Sequence, residues 1–394
     1  MKNLVLIISI SCLLFVHAKA QQTQEIIAQS KALVAQKKYA SAFKTLSDYD
    51  PKNTRPDVVI EKVEIARRYH VNTIMHQFFS FTDIEPNEDI LDYREQGGSY
   101  DLKVFSAHTI LDSLMRVFPE NAKLNKSAAL FYFDVLINYG ENWLKEPYEL
   151  VQLIDYYIER AHLLDLGDYE TYYALGYVKL ITNRAEQSVP DFQKSLDFND
   201  KFAPAYHNIA YALQSMNRNN DALSYARQAL EYYQSDYQKA DVSRMIAALY
   251  SRAGEKKTAQ DYFERAYKLS PTYYNVRALL DLYLTEGNKK AQDLQLEFFM
   301  LEPSNPTIFN DLVAMYARHN QNAELIKFFE KQLKQTWEDI MVTANLNLYL
   351  SVIYKESDKA KSRKYLEAAR DVFAQELEPE NPIFEAINKA LAEY

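Results

Sequence analysis

Residues 240–271 read ADVSRMIAALYSRAGEKKTAQDYFERAYKLSP, two amphipathic segments joined by a short polar break. Ser243, Ile246, Ala247 and Tyr250 recur at the three-and-four spacing that gathers side chains on one helical face. Arg252-Ala253-Gly254-Glu255 interrupts the pattern, and Ala259, Phe263 and Ala266 then build a second face that ends at Ser270-Pro271. The stretch reads as a helix, a tight turn and a second helix.

The same unit recurs upstream. Tyr206, Ile209, Ala210 and Leu213 are followed by a polar turn at Asn217–Asn220 and then by Ala222, Ala226 and Ala229. One unit earlier come Tyr172, Leu175 and Gly176, then Ser188, Phe192 and Ser195, and Tyr172 precedes Tyr206 by 34 residues. The small residues carry the meaning. Gly176, Ala210 and Ala247 fall where the first helix of a pair meets the second, and Ser188, Ala222 and Ala259 fall at the matching point on that second helix. Two helices approach to about 8 Å only where the side chains at the crossing are small. No pair can bury its own apolar face, so successive pairs must stack.

This pattern resembles the tetratricopeptide repeat family. The resemblance covers Tyr169–Pro271 and continues over Thr272–Glu330 through Ala278, Leu282, Ala291, Phe298 and Pro303. The expected fold is all-α, a right-handed α-solenoid of stacked antiparallel helix pairs. Residues 167–335 form the regular array, and residues 21–166 form divergent helical repeats. There Ile26, Ser30 and Leu33 face Tyr39, Ala42 and Leu46. Residues 336–394 supply a last pair and a capping helix in which Phe384, Ile387 and Leu391 oppose Glu385, Lys389 and Glu393. The stretch 83–101 breaks the period as an acidic insertion. Its only basic residue is Arg94, and it holds two of the seven glycines, Gly97 and Gly98.

Residues 1–20, MKNLVLIISISCLLFVHAKA, read as a signal peptide: Lys2, an apolar run, and Ala18-Lys19-Ala20 before Gln21. The competing reading, a lipidated Cys12, is weakened by the apolar Leu13-Leu14-Phe15-Val16 that follows the cysteine. Cleavage after Ala20 leaves no cysteine and moves the net charge from −9 to −11 by removing Lys2 and Lys19. The expected location is therefore outside the cytoplasm: periplasmic, at the cell surface or secreted. No later stretch holds 18 apolar residues, so the mature chain contains no transmembrane segment.

Composition narrows the function. Forty-five basic against 54 acidic residues leaves no electrostatic footprint for nucleic acid. Seven glycines in 394 residues, where roughly four times as many are usual, argue against Gly-rich nucleotide loops. There is no G-x-S-x-G elbow, phosphate loop or H-E-x-x-H pair. The histidines are scattered; His70 and His76, six apart, would sit about 240° apart on a helix and share no ligand face. The expectation is no catalytic residue, no metal, no cofactor and no enzyme activity.

A solenoid offers one kind of site, the inner wall formed by the first helices of successive pairs. Helical arithmetic places Tyr173, Tyr177, His207, Asn208, Tyr211, Arg244, Arg252 and Tyr273 on that concave face. Tyrosines with amide and cationic neighbours suit an extended peptide. One subclass of the family grips a partner's C-terminal carboxylate with lysine and asparagine; Asn208 matches that pattern, but Tyr173 and Tyr177 depart from it. The leading expectation is a non-enzymatic exported scaffold that binds a protein or peptide partner. The alternative is a glycan-binding cell-envelope protein, similar to the outer-membrane sugar-binding proteins, although those display tryptophan platforms and this chain has only Trp143 and Trp337.

Overall fold

The computed structural model describes residues 2–95 and 101–394, with the backbone alone for residues 2–18 and 95. The side chains of the expected leader up to residue 18, and Gly97 and Gly98 of the acidic stretch, therefore lie outside the described residues. Two compact units are distinguished, Met1–Tyr225 and Ala226–Tyr394.

The first unit contains α1 (Lys2–Ala35), α2 (Tyr39–Tyr49), α3 (Pro56–Arg68), β1 (Asn72–Ile74), β2 (Phe78–Ser80), α4 (Ile90–Glu95), β3 (Lys103–Val104), α5 (Ala107–Val117), α6 (Ala122–Tyr139), α7 (Pro147–Leu163), α8 (Tyr169–Ile181), α9 (Ala185–Phe198) and α10 (Ala203–Ser215). The division between units falls within α11 (Asn219–Tyr232). The second unit contains α12 (Asp236–Arg252), α13 (Lys256–Leu269), α14 (Tyr273–Glu286), α15 (Ala291–Leu301), α16 (Pro306–Arg318), α17 (Asn322–Gln332), α18 (Ile340–Tyr354), α19 (Lys359–Phe373) and α20 (Pro382–Leu391). Among the described residues the fold is all-α apart from one small antiparallel sheet in the order β1-β2-β3.

Helices pair as the small residues require: α1 with α2, α6 with α7 and α8 with α9 in the first unit, and α12 with α13, α14 with α15, α16 with α17 and α18 with α19 in the second. Ala210, Ala222, Ala247 and Ala259 have no exposed surface. Gly176 is buried against Phe192, whose ring carbons lie 2.7 Å from where a glycine-to-alanine Cβ would stand. Ser188, at the α8–α9 crossing, donates within its own helix to the Ala185 carbonyl (2.7 Å), whereas three other buried serines donate across their pairs. Ser30 donates to the Ala42 carbonyl (3.3 Å), Ser195 to that of Tyr169 (2.7 Å), and Ser362 to that of Ser351 (2.7 Å).

Seven helix ends close in the same way. A left-handed residue (Lys37, Asp165, Asn183, Asn217, Gly254, Gly287 or Asn320, with φ between 55° and 81°) is followed by an N–H that reaches five residues back. Arg184 N–H bonds the Lys179 carbonyl at 2.8 Å, Arg218 the Leu213 carbonyl at 2.9 Å, and Glu255 the Tyr250 carbonyl at 3.0 Å. This is the Schellman closure, and it turns the chain sharply into the next helix. Helix starts are equally local. Asp168 and Thr171 form a reciprocal capping box on α8, and Asn305, Asp339, Asp358 and Asn381 cap α16, α18, α19 and α20 through their side chains.

The stretch beginning at Asp83 is tied down at its start. Asp83 accepts from the Ser41 N–H and hydroxyl, Ile84 is 1% exposed, and Lys37 donates to the Glu88 carbonyl. Arg94 donates to the carbonyls of Arg68 and His70 (2.8 and 2.7 Å), so the segment's single cation caps the C-terminus of α3. One sequence reading is corrected nearby. His70 and His76 do not share a helix: α3 ends at Arg68 and the β1–β2 hairpin folds back, bringing the two rings to 5.8 Å.

Candidate functional site

The first unit brings five of the eight expected wall residues onto two helices, Tyr173 and Tyr177 on α8 and His207, Asn208 and Tyr211 on α10. Their roles differ. Tyr173 is built into the packing: its ring lies against Phe133 (5.9 Å), Phe192 (5.7 Å) and Phe202 (5.1 Å), and its hydroxyl receives the Asn208 amide at 3.0 Å. Tyr177 rests edge-on against Phe133 at 5.4 Å, and burial pushes its phenol above the usual tyrosine range. His207 is half-buried. Tyr211 projects outward with 55% of its surface exposed.

Tyr177, Asn208 and Tyr211 together line an open cleft of about 730 Å³. Helical phase produces it. Tyr177 lies one residue beyond the buried Gly176, and Tyr211 one residue beyond the buried Ala210, so each ring flanks a close crossing. The remainder of the lining comes from helix ends and turns, including Ile181, Asn183, Glu186 and Met216. Asn183 and Glu186 were absent from the sequence expectation, because they belong to the turn and to the second helix of the pair.

The other three expected residues lie in the second unit and do not form a like constellation. Arg244 pairs with Asp241 one turn away on its own helix and sits 5.8 Å from the Tyr274 ring. Tyr273 donates to Asp311, which also holds Arg277 at 2.8 Å; burial, then that hydrogen bond, pushes the Tyr273 phenol to about 12. Arg252 is exposed at the last residue of α12.

Two further features of the first unit escaped the sequence reading. A cleft of about 650 Å³ is lined by Phe43, Phe81, Phe105, Lys44 and Lys103. At its floor Lys62, 2% exposed, donates to the Asp50 carbonyl (2.8 Å) and to Asn53 Oδ1 (2.7 Å), and burial lowers it to about 8 against the pull of Asp50. The second is a histidine pair, His76 buried and His70 half-buried. His76 is 1% exposed among Phe79, Phe131 and Tyr139, its Nδ1 has no hydrogen-bond partner, and burial lowers it to about 3. Among the described residues no cluster of three or more His, Cys, Asp or Glu side chains is placed to hold a metal, and no helix is long and apolar enough to cross a membrane.

Residues 201–272 match the profile of the tetratricopeptide repeat family. No curated protein matches the chain. Solved structures with distant likeness include PilF of Pseudomonas aeruginosa, 14% identical, with 62% of this chain and 99% of that one covered and a TM-score of 0.43. The C-terminal part of a repeat-containing protein from Cytophaga hutchinsonii is 14% identical, with 70% and 90% covered and a TM-score of 0.38. YrrB, a tetratricopeptide repeat protein with an unusual peptide-binding site, is 14% identical, with 60% and 96% covered and a TM-score of 0.38.

Proposed function

We propose that this protein is an exported, non-enzymatic scaffold that docks an extended segment of a protein partner in the cleft between α8 and α10. The observation that carries the reading is the meeting of Tyr177, Asn208 and Tyr211 at one open cleft of about 730 Å³. Two rings and a side-chain amide supply apolar contact and backbone hydrogen bonding without requiring a charged ligand end. Export is supported by the leader-like residues 1–20. Among the described side chains before residue 24 Thr23 is the buried one, bonded to the Lys19 carbonyl (2.9 Å), Tyr49 (2.9 Å) and Arg55 (3.0 Å), while Gln21 and Gln22 are exposed. Removal of residues 1–20 takes away the Lys19 carbonyl but leaves the Tyr49 and Arg55 partners of Thr23.

Both tryptophans are engaged within the protein. Trp143 Nε1 donates to the Met75 carbonyl at 2.6 Å and Trp337 Nε1 to that of Gln332 at 3.0 Å, so neither favours the glycan alternative. The test is a cross-linked pull-down from cell envelope with the protein and a Tyr177→Ala/Tyr211→Ala variant. Loss of the captured partner with a folded variant is expected, and undiminished capture overturns the cleft as the docking site. Retention on a polysaccharide affinity gel, lost in the same variant, selects the glycan reading instead.

A further inference from the structure

The polarity of the cleft says more than its tyrosines do. Both helices that form it end there: α8 finishes at Ile181, α10 at Ser215 with Met216 following, and all three residues line the opening. The dipole of a helix puts about half a negative charge at its C-terminus, so two negative ends face this space, against the single positive end of α9 that begins at Ala185 in the same lining. Glu186, in the first turn of α9, adds a full carboxylate that is exposed and has no ion-pair partner among the described residues. Asn208 uses its amide nitrogen on Tyr173, which leaves its carbonyl oxygen as an acceptor. No lysine or arginine is among the described residues lining the cleft; Lys179 is held by Asp191 and Arg184 lies 4.0 Å from Asp155.

Resting on the docking reading above, we infer that the cleft receives a basic side chain, an arginine carried on the partner's extended segment. A guanidinium is flat, so it lies against the phenol rings of Tyr177 and Tyr211 while its edges donate to Asn208 Oδ1 and Glu186. An acidic side chain would face one carboxylate and two negative helix ends. An apolar one would leave the Asn208 and Glu186 acceptors without donors.

The probes are three fluorescein-labelled heptapeptide pools, randomised except for a fixed central arginine, glutamate or norleucine, titrated against the protein by fluorescence anisotropy. The arginine pool is expected to bind at least about fivefold tighter than the others. That preference should disappear in Glu186→Gln and in Tyr211→Ala, both surface changes that leave the helix crossings intact. An arginine preference that survives both substitutions reflects the net acidic surface and overturns the proposal. Tighter binding of the glutamate or norleucine pool, still dependent on Tyr211, overturns the basic anchor but keeps the cleft as a docking site. Binding of every pool unchanged in Tyr211→Ala removes both.

Discussion

Gly176 and Phe192 face each other across the α8–α9 crossing so closely that a single added carbon at Gly176 would stand 2.7 Å from Cδ1 and Cε1 of the ring. Phe192 has no exposed surface, so the ring has nowhere to retreat. Gly176→Ala should destabilise the protein by about 1–2 kcal/mol, overpacking outweighing the gain in helix propensity of up to about 1 kcal/mol. Urea unfolding measures this. A second change, Phe192→Leu, should recover part of the loss in the double variant even though it is harmful alone. Additive losses would show that the crossing is not the cause.

Gly254 makes the opposite case. Its φ is +81° and nothing lies within 4 Å of an added Cβ, so any cost of Gly254→Ala comes from the backbone alone. The expected loss is about 1 kcal/mol, with a left-handed residue now carrying a Cβ. Asn217→Gly, at the equivalent turn with φ 60°, should change stability by only a few tenths of a kcal/mol. Equal losses at the two positions would contradict the shared turn geometry.

The β1–β2 hairpin breaks the rule those turns obey. Gln77 N–H bonds the Ile74 carbonyl at 3.0 Å, and the two residues between, Met75 and His76, both have φ of 50°. Such a turn ordinarily takes Asn-Gly. Met75→Asn should stabilise the protein by about 0.5–1 kcal/mol, read as a higher urea midpoint, because asparagine tolerates the left-handed region. A lower midpoint would mean that the partly exposed Met75 side chain matters more than its backbone.

These three sites explain what was legible in the sequence. The crossing residues Gly176, Ala210, Ala247 and Ala259 were readable because a close helix approach admits only small side chains and the period repeats them. The hairpin was unreadable because Met75-His76 carries no turn signature; the tertiary burial of His76 imposes the conformation. The same divide runs through the site. Tyr177, Asn208 and Tyr211 follow from helical arithmetic and do meet. Arg244 and Tyr273 obey the same arithmetic but are engaged by Asp241 and Asp311, one of them 38 residues away, which periodicity does not reveal. Glu186 was missed because a helix-face count along the first helices never visits the start of the second.

Arg67 and Asp134 join α3 to α6, with Nε 2.5 Å from Oδ2 and the arginine side chain 7% exposed. Asp134→Ala leaves the buried guanidinium paired with Glu64 at 3.1 Å and attracted more weakly by Glu170. The expected loss is about 3 kcal/mol, the lower end for breaking a buried pair, since Glu64 stays. Replacing both partners, Arg67→Met with Asp134→Leu, should restore most of it. A double variant no more stable than Asp134→Ala would assign the loss to packing.

The buried histidines make stability depend on acid. Burial holds His70 down to about 4, with Arg94 adding to the shift, and holds His76 down to about 3, with His70, Arg67 and Arg94 all opposing its protonation. Both values lie below the unfolded value of about 6.5, so the unfolded chain takes up protons first as pH falls. Stability is therefore full above about pH 6.5, declines through the window down to pH 4–3, and by pH 5 is reduced by about 2 kcal/mol for each histidine. His76→Phe keeps a ring among Phe79, Phe131 and Tyr139 and removes the unpartnered Nδ1. Its stability should match or exceed that of the parent at pH 7.5, and its decline toward pH 5 should be shallower, the rest coming from His70, His108 and His162, which burial also holds below the ordinary value. Urea midpoints measured at half-unit pH steps decide the matter: parallel curves for parent and variant would mean that His76 is not the residue that senses acid.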